Sequence, residues 1–254
     1  MNYIGIDIGS TYTKYCIMDA DGKILELSAE RTPIRQREYF SEKLAGFRNC
    51  FPDYQLISCG YGRKNVEGRR AVNELTALAA GVDHQCPGET LVLDIGGQDT
   101  KVIRQQDGRL KEFFANDKCA AGCGMFLKST LELLGMNFNK ISLSEPSGQP
   151  ELRLSSVCVV FAQTEIVEAV AADIPAEVII RAVLRQILTQ ARPLLGKAGP
   201  GPVTLSGGLT GIAGIGTFAE NIWGRRVFIP RYARFLSAIG CGRLCCQEGK
   251  KGEK

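Results

Sequence analysis

The sequence predicts an α/β fold made of two related lobes, and an internal repeat is the main observation behind this prediction. The segment Asp7–Lys14 returns as Asp94–Lys101, with five of the eight positions identical. Each copy follows a short apolar run and precedes a strand-like run that ends at an Asp-Gly dipeptide. The order of strand, Gly-rich turn, strand and Asp-Gly hairpin is therefore used twice, which predicts two related half-domains that face each other.

The first Asp-Ile-Gly turn has the residue types that a nucleotide phosphate requires. Gly9 lets the backbone turn tightly and approach a ligand. Successive backbone N–H groups in such a turn form a concavity that binds anions. Ser10 and Thr11 add hydroxyl groups, and Lys14 adds a positive charge. We therefore predict that these residues hold phosphates from one side of the nucleotide.

The second turn is expected to hold the same phosphate chain from the other side. Its predicted phosphate-binding residues are Gly96, Gly97 and Gln98. Asp7 and Asp94 are expected to organise hydrated Mg²⁺, which takes one or two carboxylates together with phosphate oxygens. Gln98 or Asp99 is the candidate for positioning the attacking water. The alternative, in which each turn is an ordinary hairpin with an Asp in it, is less favoured because the pattern is repeated.

A third Gly-rich segment, Leu205–Gly211, follows an apolar run and completes the pattern. Gly207 and Gly208 would let the backbone approach the adenosine. The order of phosphate, phosphate and adenosine segments resembles the superfamily of sugar kinases, chaperone ATPases and actin, in which two ribonuclease-H-like lobes close on ATP. We place lobe I at residues 1–88 with the C-terminal residues 233–254, and lobe II at 89–232. No Walker-type Gly-Lys-Ser/Thr loop is present, which excludes a P-loop enzyme.

The bulk composition fits a globular protein that binds neither nucleic acid nor membranes. The 254 residues are 44% hydrophobic and 23% charged, with a net charge of +4. No basic stripe interleaved with aromatic residues is present, so nucleic acid is not expected as a partner. No apolar run approaches the ~20 residues of a membrane helix. The first strand begins without a signal peptide, and we expect a cytoplasmic protein.

The ten cysteines should not form structural disulfides in a reducing compartment. Cys16, Cys50 and Cys59 are interpreted as buried free thiols in or near strand and helix cores. Cys241 and Cys245 share one face of a predicted C-terminal helix over residues 234–246. That pair could ligate a metal, but packing in the core is the favoured interpretation.

Cys119 and Cys158 stand at predicted helix starts. Cys119 lies just ahead of a helix expected over Met125–Leu134, and Cys158 is expected in the first turn of a helix capped by a Ser pair. A helix N-terminus lowers the pKa of a thiol and stabilises a thiolate. Two thiolates are half the ligands of a [4Fe–4S] cluster, and a two-fold dimer would supply the rest. The alternative is two buried cysteines with no ligand.

Five segments closely resemble the activators (activases) of 2-hydroxyacyl-CoA dehydratases and the related BadF/BadG/BcrA/BcrD-type ATPases of benzoyl-CoA reductase. The matching segments are Asp7–Lys14, Gly60–Arg63, Asp94–Lys101, Asn116–Gly124 and Ser155–Glu165. The resemblance implies that Cys119 and Cys158 of two subunits hold one [4Fe–4S] cluster at a homodimer interface. It also implies that Gly122 and Gly124 belong to the cofactor-binding segment. Cys123 stands where the family usually has Thr.

The resemblance implies an ATP-driven electron-transfer protein. ATP binding and hydrolysis to ADP would rearrange the helices around the cluster, and an electron from ferredoxin or flavodoxin would pass to a Cys-rich dehydratase or reductase. Two alternatives remain open. One is a small-molecule kinase of the same fold without a cluster, and the other is a non-enzymatic scaffold of the actin type.

Overall fold

The computed structural model describes residues 1–66, 70–116, 122–143, 151–155 and 158–252. The chain divides into two compact units. Unit 1 combines residues 1–90 with 104–111 and 235–254, and unit 2 combines residues 91–103 with 112–234. The lobe boundaries placed from the sequence rest on the repeat alone and stay a prediction.

Unit 1 contains a mixed sheet of five strands among the described residues, in the order β3-β2-β1-β4-β5. The first three strands form an antiparallel meander, and β4 and β5 continue the sheet in parallel from β1. The strands are β1 (Asn2–Ile8), β2 (Tyr12–Met18), β3 (Ile24–Arg31), β4 (Tyr54–Gly60) and β5 (Arg70–Ala71). The helices of this unit are α1 (Gln36–Cys50), α2 (Glu74–Gln85) and α7 (Leu236–Gly252).

The two faces of β1 bury different partners because side chains alternate along a strand. Ile4, Ile6 and Ile8 are fully buried in a cluster with residues of α1. Gly5 lies on the opposite face, where an added Cβ would clash with Ala238 of α7. The apolar alternation of β1 therefore fixes one helix on each side of the sheet.

Unit 2 repeats this layout with the strand order β10-β9-β6-β7-β8. Strands β6, β9 and β10 are parallel to one another. The strands are β6 (Thr90–Ile95), β7 (Thr100–Gln106), β8 (Arg109–Asn116), β9 (Val203–Gly207) and β10 (Val227–Phe228). The helices are α3 (Gly124–Leu133), α4 (Val159–Ala171), α5 (Ala176–Lys197) and α6 (Ile215–Trp223). A large apolar cluster joins the sheet to these helices.

Local sequence signals explain several element boundaries. The β7–β8 loop is the Asp-Gly pair expected from the sequence, with φ of 52° at Asp107 and 74° at Gly108. Positive φ at both positions is typical of the two-residue hairpin turn that matches strand twist. Asn73 caps α2, and its side chain accepts a 2.8 Å hydrogen bond from the backbone N–H of Leu75.

The bounds predicted for the C-terminal helix were wrong, because the observed helix begins and ends later in the sequence and is longer. It was expected over residues 234–246, but α7 spans Leu236–Gly252. Glu248, in the added part of the helix, forms an ion pair with Arg70 of β5. In the described part of the chain, no helix has the length and apolarity needed to cross a membrane.

Candidate functional site

The first Asp-Ile-Gly turn closes at the end of β1. The N–H of Gly9 donates to the carbonyl of Tyr12 at 3.1 Å, which turns the chain directly into β2. Asp7 is only 5% exposed. Lys14 stands opposite Asp7 in the antiparallel register, and its Nζ lies 3.5 Å from Asp7 Oδ2. Ser10 is exposed, so the turn presents a hydroxyl group and a neighbouring cation to solvent.

A second turn in unit 1 packs against the end of β1. Gly60 has a φ of +87°, and a Cβ there would lie 2.8 Å from the carbonyl carbon of Ile8 and 3.0 Å from Asp7 Oδ1. The N–H of Gly62 donates to the carbonyl of Ile8 at 3.2 Å. Only glycine fits such a position, because its left-handed backbone and missing Cβ permit the close approach. The Gly60–Arg63 turn therefore braces the strand end that carries Asp7.

Cys59 completes the surroundings of Asp7. Its Sγ lies 3.7 Å from Asp7 Oδ1 and 4.0 Å from the carbonyl oxygen of Ser237 on α7. A hydrogen bond with Cys241 and complete burial raise the pKa of Cys59 well above its ordinary value. Cys59 was expected only as a buried core thiol. Its contact with Asp7 has no local signal, because β4 meets β1 through long-range pairing.

The second Asp-Ile-Gly turn reproduces the first in unit 2. The N–H of Gly96 donates to the carbonyl of Asp99 at 2.8 Å, at the positions equivalent to Gly9 and Tyr12. Asp94 is 9% exposed. The repeated sequence therefore forms the same backbone turn twice.

The two turns differ in how the lysine is used. Lys101 is buried, and its Nζ lies 3.2 Å from Asp99 Oδ2, whereas Lys14 pairs with the strand carboxylate Asp7. Gln98 is exposed at the tip of the turn. Of the two candidates for positioning water, Asp99 is thus engaged in an ion pair and Gln98 projects into solvent.

The third Gly-rich segment lies at the same sheet edge as the second turn. Strands β6 and β9 pair in parallel, with Asp94 opposite Ser206 and Ile95 opposite Gly207. Gly207 has a φ of +100°, and a Cβ there would lie 2.8 Å from the carbonyl carbon of Ile95. Gly208 is exposed, and nothing lies within 4 Å of the position of its missing Cβ. The carboxyl ends of neighbouring parallel strands, where α/β sheets bind ligands, therefore carry both segments.

The second turn is hydrogen-bonded to the start of α3. The backbone N–H of Gly124 donates to the carbonyl of Gly96 at 2.9 Å, and the N–H of Met125 donates to the carbonyl of Gly97 at 2.8 Å. The hydroxyl group of Thr100 also donates to the carbonyl of Gly122. Carbonyl groups of the turn thus accept N–H groups that a helix start otherwise leaves unsatisfied. This link between the turn and α3 has no local signal in the amino-acid pattern.

The cluster cysteines are described in part. Cys119 lies outside the described residues. Cys158 is exposed and is the N-cap of α4, so the expectation that it lies inside the first turn was wrong by one position. Ser155 and Ser156 were expected to cap this helix. Ser156 lies outside the described residues, and the N–H and hydroxyl group of Ser155 both bind the Glu165 carboxylate. Cys123, at the N-cap of α3, is 1% exposed.

The other cysteines differ in burial, and Cys86 is intermediate. Cys16, Cys59, Cys241 and Cys245 are buried, as expected for core thiols, whereas Cys50 is exposed and the expectation for it was wrong. Within residues 1–66, 70–116, 122–143, 151–155 and 158–252, no group of three or more His, Cys, Asp or Glu side chains is arranged to hold a metal ion. The predicted cluster also needs Cys119, which that finding does not cover.

The profile of the BadF/BadG/BcrA/BcrD ATPase family matches residues 4–242. The chain belongs to this family. The family resemblance noted from the sequence and the prediction of an ATPase are thereby confirmed.

Two relatives of this ATPase match along nearly their whole length. The (R)-2-hydroxyglutaryl-CoA dehydratase activating ATPase of Acidaminococcus fermentans is 30% identical over 259 residues, which are 98% of each chain. The solved activator of the 2-hydroxyisocaproyl-CoA dehydratase from Clostridium difficile, with bound ADPNP, superposes with a TM-score of 0.89 at 27% identity. This match covers 100% of the present chain and 97% of the activator.

A more distant structure shares the fold alone. The ROK family glucokinase from Streptomyces griseus, in complex with glucose and AMPPNP, has a TM-score of 0.58 at 14% identity, over 97% of this ATPase and 100% of the glucokinase. The fold class predicted from the repeat, shared with sugar kinases, is confirmed by these likenesses.

Proposed function

We propose that this ATPase is an ATP-driven electron-transfer activator of a partner that resembles a 2-hydroxyacyl-CoA dehydratase or a benzoyl-CoA reductase. The observation that carries the proposal is the pair of backbone hydrogen bonds from the start of α3 to Gly96 and Gly97. Helix α3 follows directly on the segment that contains Cys119. A change in the phosphate turn would therefore act on the start of a helix that follows the proposed cluster ligand Cys119 closely in the sequence.

The nucleotide would be bound by the residues at the strand ends of both units. Ser10, Thr11 and Lys14 would hold phosphates with the first turn. Gly96, Gly97 and Gln98 would do so with the second turn, and Gly207 and Gly208 would lie against the adenosine. This assignment is supported by the matching backbone turns and by the ADPNP bound to the related activator.

The carboxylates at the two strand ends suit a hydrated Mg²⁺ ion. Asp7 and Asp94 are 5% and 9% exposed, and each immediately precedes a phosphate turn. Mg²⁺ takes one or two carboxylates and otherwise keeps water and phosphate oxygens as ligands, which is why these two residues are proposed for it. When bound, the ion would neutralise charge that develops on the phosphates. Gln98 would orient the attacking water, because it is exposed whereas Asp99 is paired with Lys101.

The donor set at the start of α4 suits an iron–sulfur cluster. Cys158 is exposed at the N-cap, beside backbone N–H groups that lack helical partners. These groups stabilise a thiolate and the negative charge of a cluster. Cys119 and Cys158 from two subunits would give the four thiolates of one [4Fe–4S] cluster, which supplies one-electron chemistry. Reduced ferredoxin or flavodoxin would be the electron donor.

The exposed face of α4 supports association next to Cys158. Val160 and Phe161 are 69% and 67% exposed, and Val167 is 52% exposed one heptad after Val160. Grouped apolar side chains on a surface indicate an interaction site. A second subunit, with the partner protein beside it, would cover this face.

The cluster and dimer can be tested by iron analysis and sedimentation under anaerobic conditions. The wild-type dimer is expected to hold about four irons, the content of one [4Fe–4S] cluster. Cys119→Ser and Cys158→Ser are each expected to lose the iron and weaken the dimer. Cys123→Ser is the matched control, because Cys123 is a neighbouring cysteine that is buried at a helix N-cap.

Three results would count against the cluster assignment. Iron-free wild-type protein, or full iron in Cys119→Ser, would show that these thiols are not ligands. Loss of iron in Cys123→Ser would make Cys123 a ligand instead. Electron transfer from reduced ferredoxin to a dehydratase partner without ATP hydrolysis would remove the proposed coupling.

A further inference from the structure

The carboxylate of Asp7 has a different neighbour on each oxygen. Lys14 Nζ approaches Oδ2 at 3.5 Å, and Cys59 Sγ approaches Oδ1 at 3.7 Å. An ionised carboxylate can only accept hydrogen bonds, so Cys59 is the donor in this contact. Its single S–H also has the carbonyl oxygen of Ser237 and Cys241 as neighbouring partners, of which the Ser237 oxygen is farther away, at 4.0 Å. Cys59 has no exposed surface. Removal of the thiol would leave Oδ1 without this donor.

The backbone holds Cys59 in place for this contact. Strands β1 and β4 pair in parallel with Asp7 directly opposite Cys59. On its other side, Cys59 Sγ lies 4.0 Å from the carbonyl oxygen of Ser237 in α7. A Cβ on Gly60, the next residue, would lie 2.8 Å from the carbonyl carbon of Ile8 and 3.0 Å from Asp7 Oδ1, so this position leaves no room for a side chain beside the carboxylate. The thiol is thus fixed between a strand register and a packed helix.

We propose that Cys59 is a positioning residue that orients the Asp7 carboxylate at the nucleotide–metal site. The inference rests on the proposed role of Asp7 in organising hydrated Mg²⁺. The terminal torsion of an aspartate is broad, so a carboxylate with a free oxygen samples many orientations. A fixed donor on Oδ1 restricts that rotation and leaves Oδ2 aimed at Lys14 and the phosphate turn. Hydrogen-bond partners of metal-binding carboxylates commonly contribute ten- to a hundredfold in metal affinity.

Mn²⁺ binding to the ADP-bound protein tests this role separately from catalysis. Bound Mn²⁺ would be quantified by electron paramagnetic resonance in Cys59→Ala, Cys59→Val and Cys59→Ser proteins. Ala and Val remove the donor, and Val also fills the space, so both are expected to weaken Mn²⁺ binding about tenfold. Ser restores a donor and is expected to bind within about threefold of wild type. The Mg²⁺ concentration for half-maximal ATP hydrolysis should rise in parallel.

Cys16→Ala is the matched control, because Cys16 is an equally buried thiol on β2, which pairs with β1 on the side opposite to β4. It should lower the melting temperature about as much as Cys59→Ala does and leave Mn²⁺ affinity unchanged. The positioning role is overturned if Cys59→Ala and Cys59→Val bind Mn²⁺ like wild type, or if Cys16→Ala weakens binding equally.

Asp7→Asn separates the two proposals. This variant should weaken Mn²⁺ binding more than Cys59→Ala does, because it removes the charge itself. Normal Mn²⁺ binding by Asp7→Asn would overturn the proposed metal site and, with it, the role of Cys59. Weak binding by Asp7→Asn together with normal binding by Cys59→Ala would overturn the role of Cys59 alone.

Discussion

A Gly→Ala substitution is expected to have opposite effects on the free energy of unfolding at two helical glycines. Gly240 lies in the contact between α2 and α7, and Gly46 lies in α1. A Cβ on Gly240 of α7 would lie 2.6 Å from the carbonyl carbon of Ala77 and 2.8 Å from the backbone nitrogen of Gly81, both in α2. Real Cβ contacts essentially never fall below 3.0 Å. Because the neighbours are helical backbone rather than flexible side chains, Gly240→Ala requires one helix to move away from the other.

The expected change in the free energy of unfolding for Gly240→Ala is the sum of two opposing contributions. Overpacking of a tight interior contact costs about 1–3 kcal/mol and occasionally more. Replacing Gly by Ala within a helix returns about 1 kcal/mol. The sheet resists the movement, since an added Cβ on Gly5 of β1 would also lie 2.9 Å from the Cβ of Cys241 in α7. The overpacking cost is therefore expected at the upper end of its range, with a net loss of about 2 kcal/mol in the free energy of unfolding.

Urea unfolding of two single variants tests this reasoning. Gly46→Ala is the control, because Gly46 lies inside α1 of the same unit and nothing lies within 4 Å of its missing Cβ. That variant is expected to gain up to about 1 kcal/mol. A gain in stability for Gly240→Ala, equal to that of Gly46→Ala, would show that the helices are not in backbone contact.

Two further predictions concern catalysis and pH. Asp94→Ala should reduce ATP hydrolysis by about a hundredfold or more, as loss of a metal-organising group does, while the melting temperature stays near that of wild type; unchanged turnover would contradict the assignment. Burial acts to raise the pKa of Glu30, but hydrogen bonds from Tyr15, Tyr39 and Lys43 outweigh it and lower this pKa. A carboxyl group with a lowered pKa stabilises the fold above its unfolded pKa of about 4.3 and loses that contribution as the pH falls through the folded pKa. Glu30→Gln should therefore be less stable than wild type at pH 7, and urea unfolding at pH 3 should show a smaller difference; an equal difference at both pH values would exclude this role.

The parts of the fold that could be predicted are those encoded by local pattern. The repeated Asp-Ile-Gly segments predicted two equivalent turns, and Gly9 and Gly96 do make the same hydrogen bond in each unit. The Asp-Gly dipeptide at 107–108 predicted a hairpin because only residues tolerant of positive φ suit that turn. Such features depend on a few neighbouring residues, and a sequence shows them directly.

The parts that escaped prediction depend on partners far away along the chain. Cys59 reaches Asp7 only because β4 pairs with β1, and Gly81 meets Gly240 only when α7 returns to the first unit. Cys50 was expected to be buried, but Phe47 is the last buried residue of α1 and Cys50 is its exposed final residue. The extension of α7 to Gly252 likewise lacks a local signal. The predicted site residues in the two turns and the adenosine segment stay predictions until binding is measured.

The return of α7 to unit 1 determines the order in which the chain can be completed during synthesis. The first 90 residues and the last helix belong to the same unit, whereas nearly all of residues 91–234 belong to the other. A ribosome releases the N-terminal residues first, but Gly5 of β1 packs against α7, which emerges after residues 91–234. Unit 2 can therefore fold before unit 1 although it comes later in the sequence. Until α7 emerges, unit 1 lacks this packing, and apolar surface left exposed in incomplete chains makes them prone to aggregate.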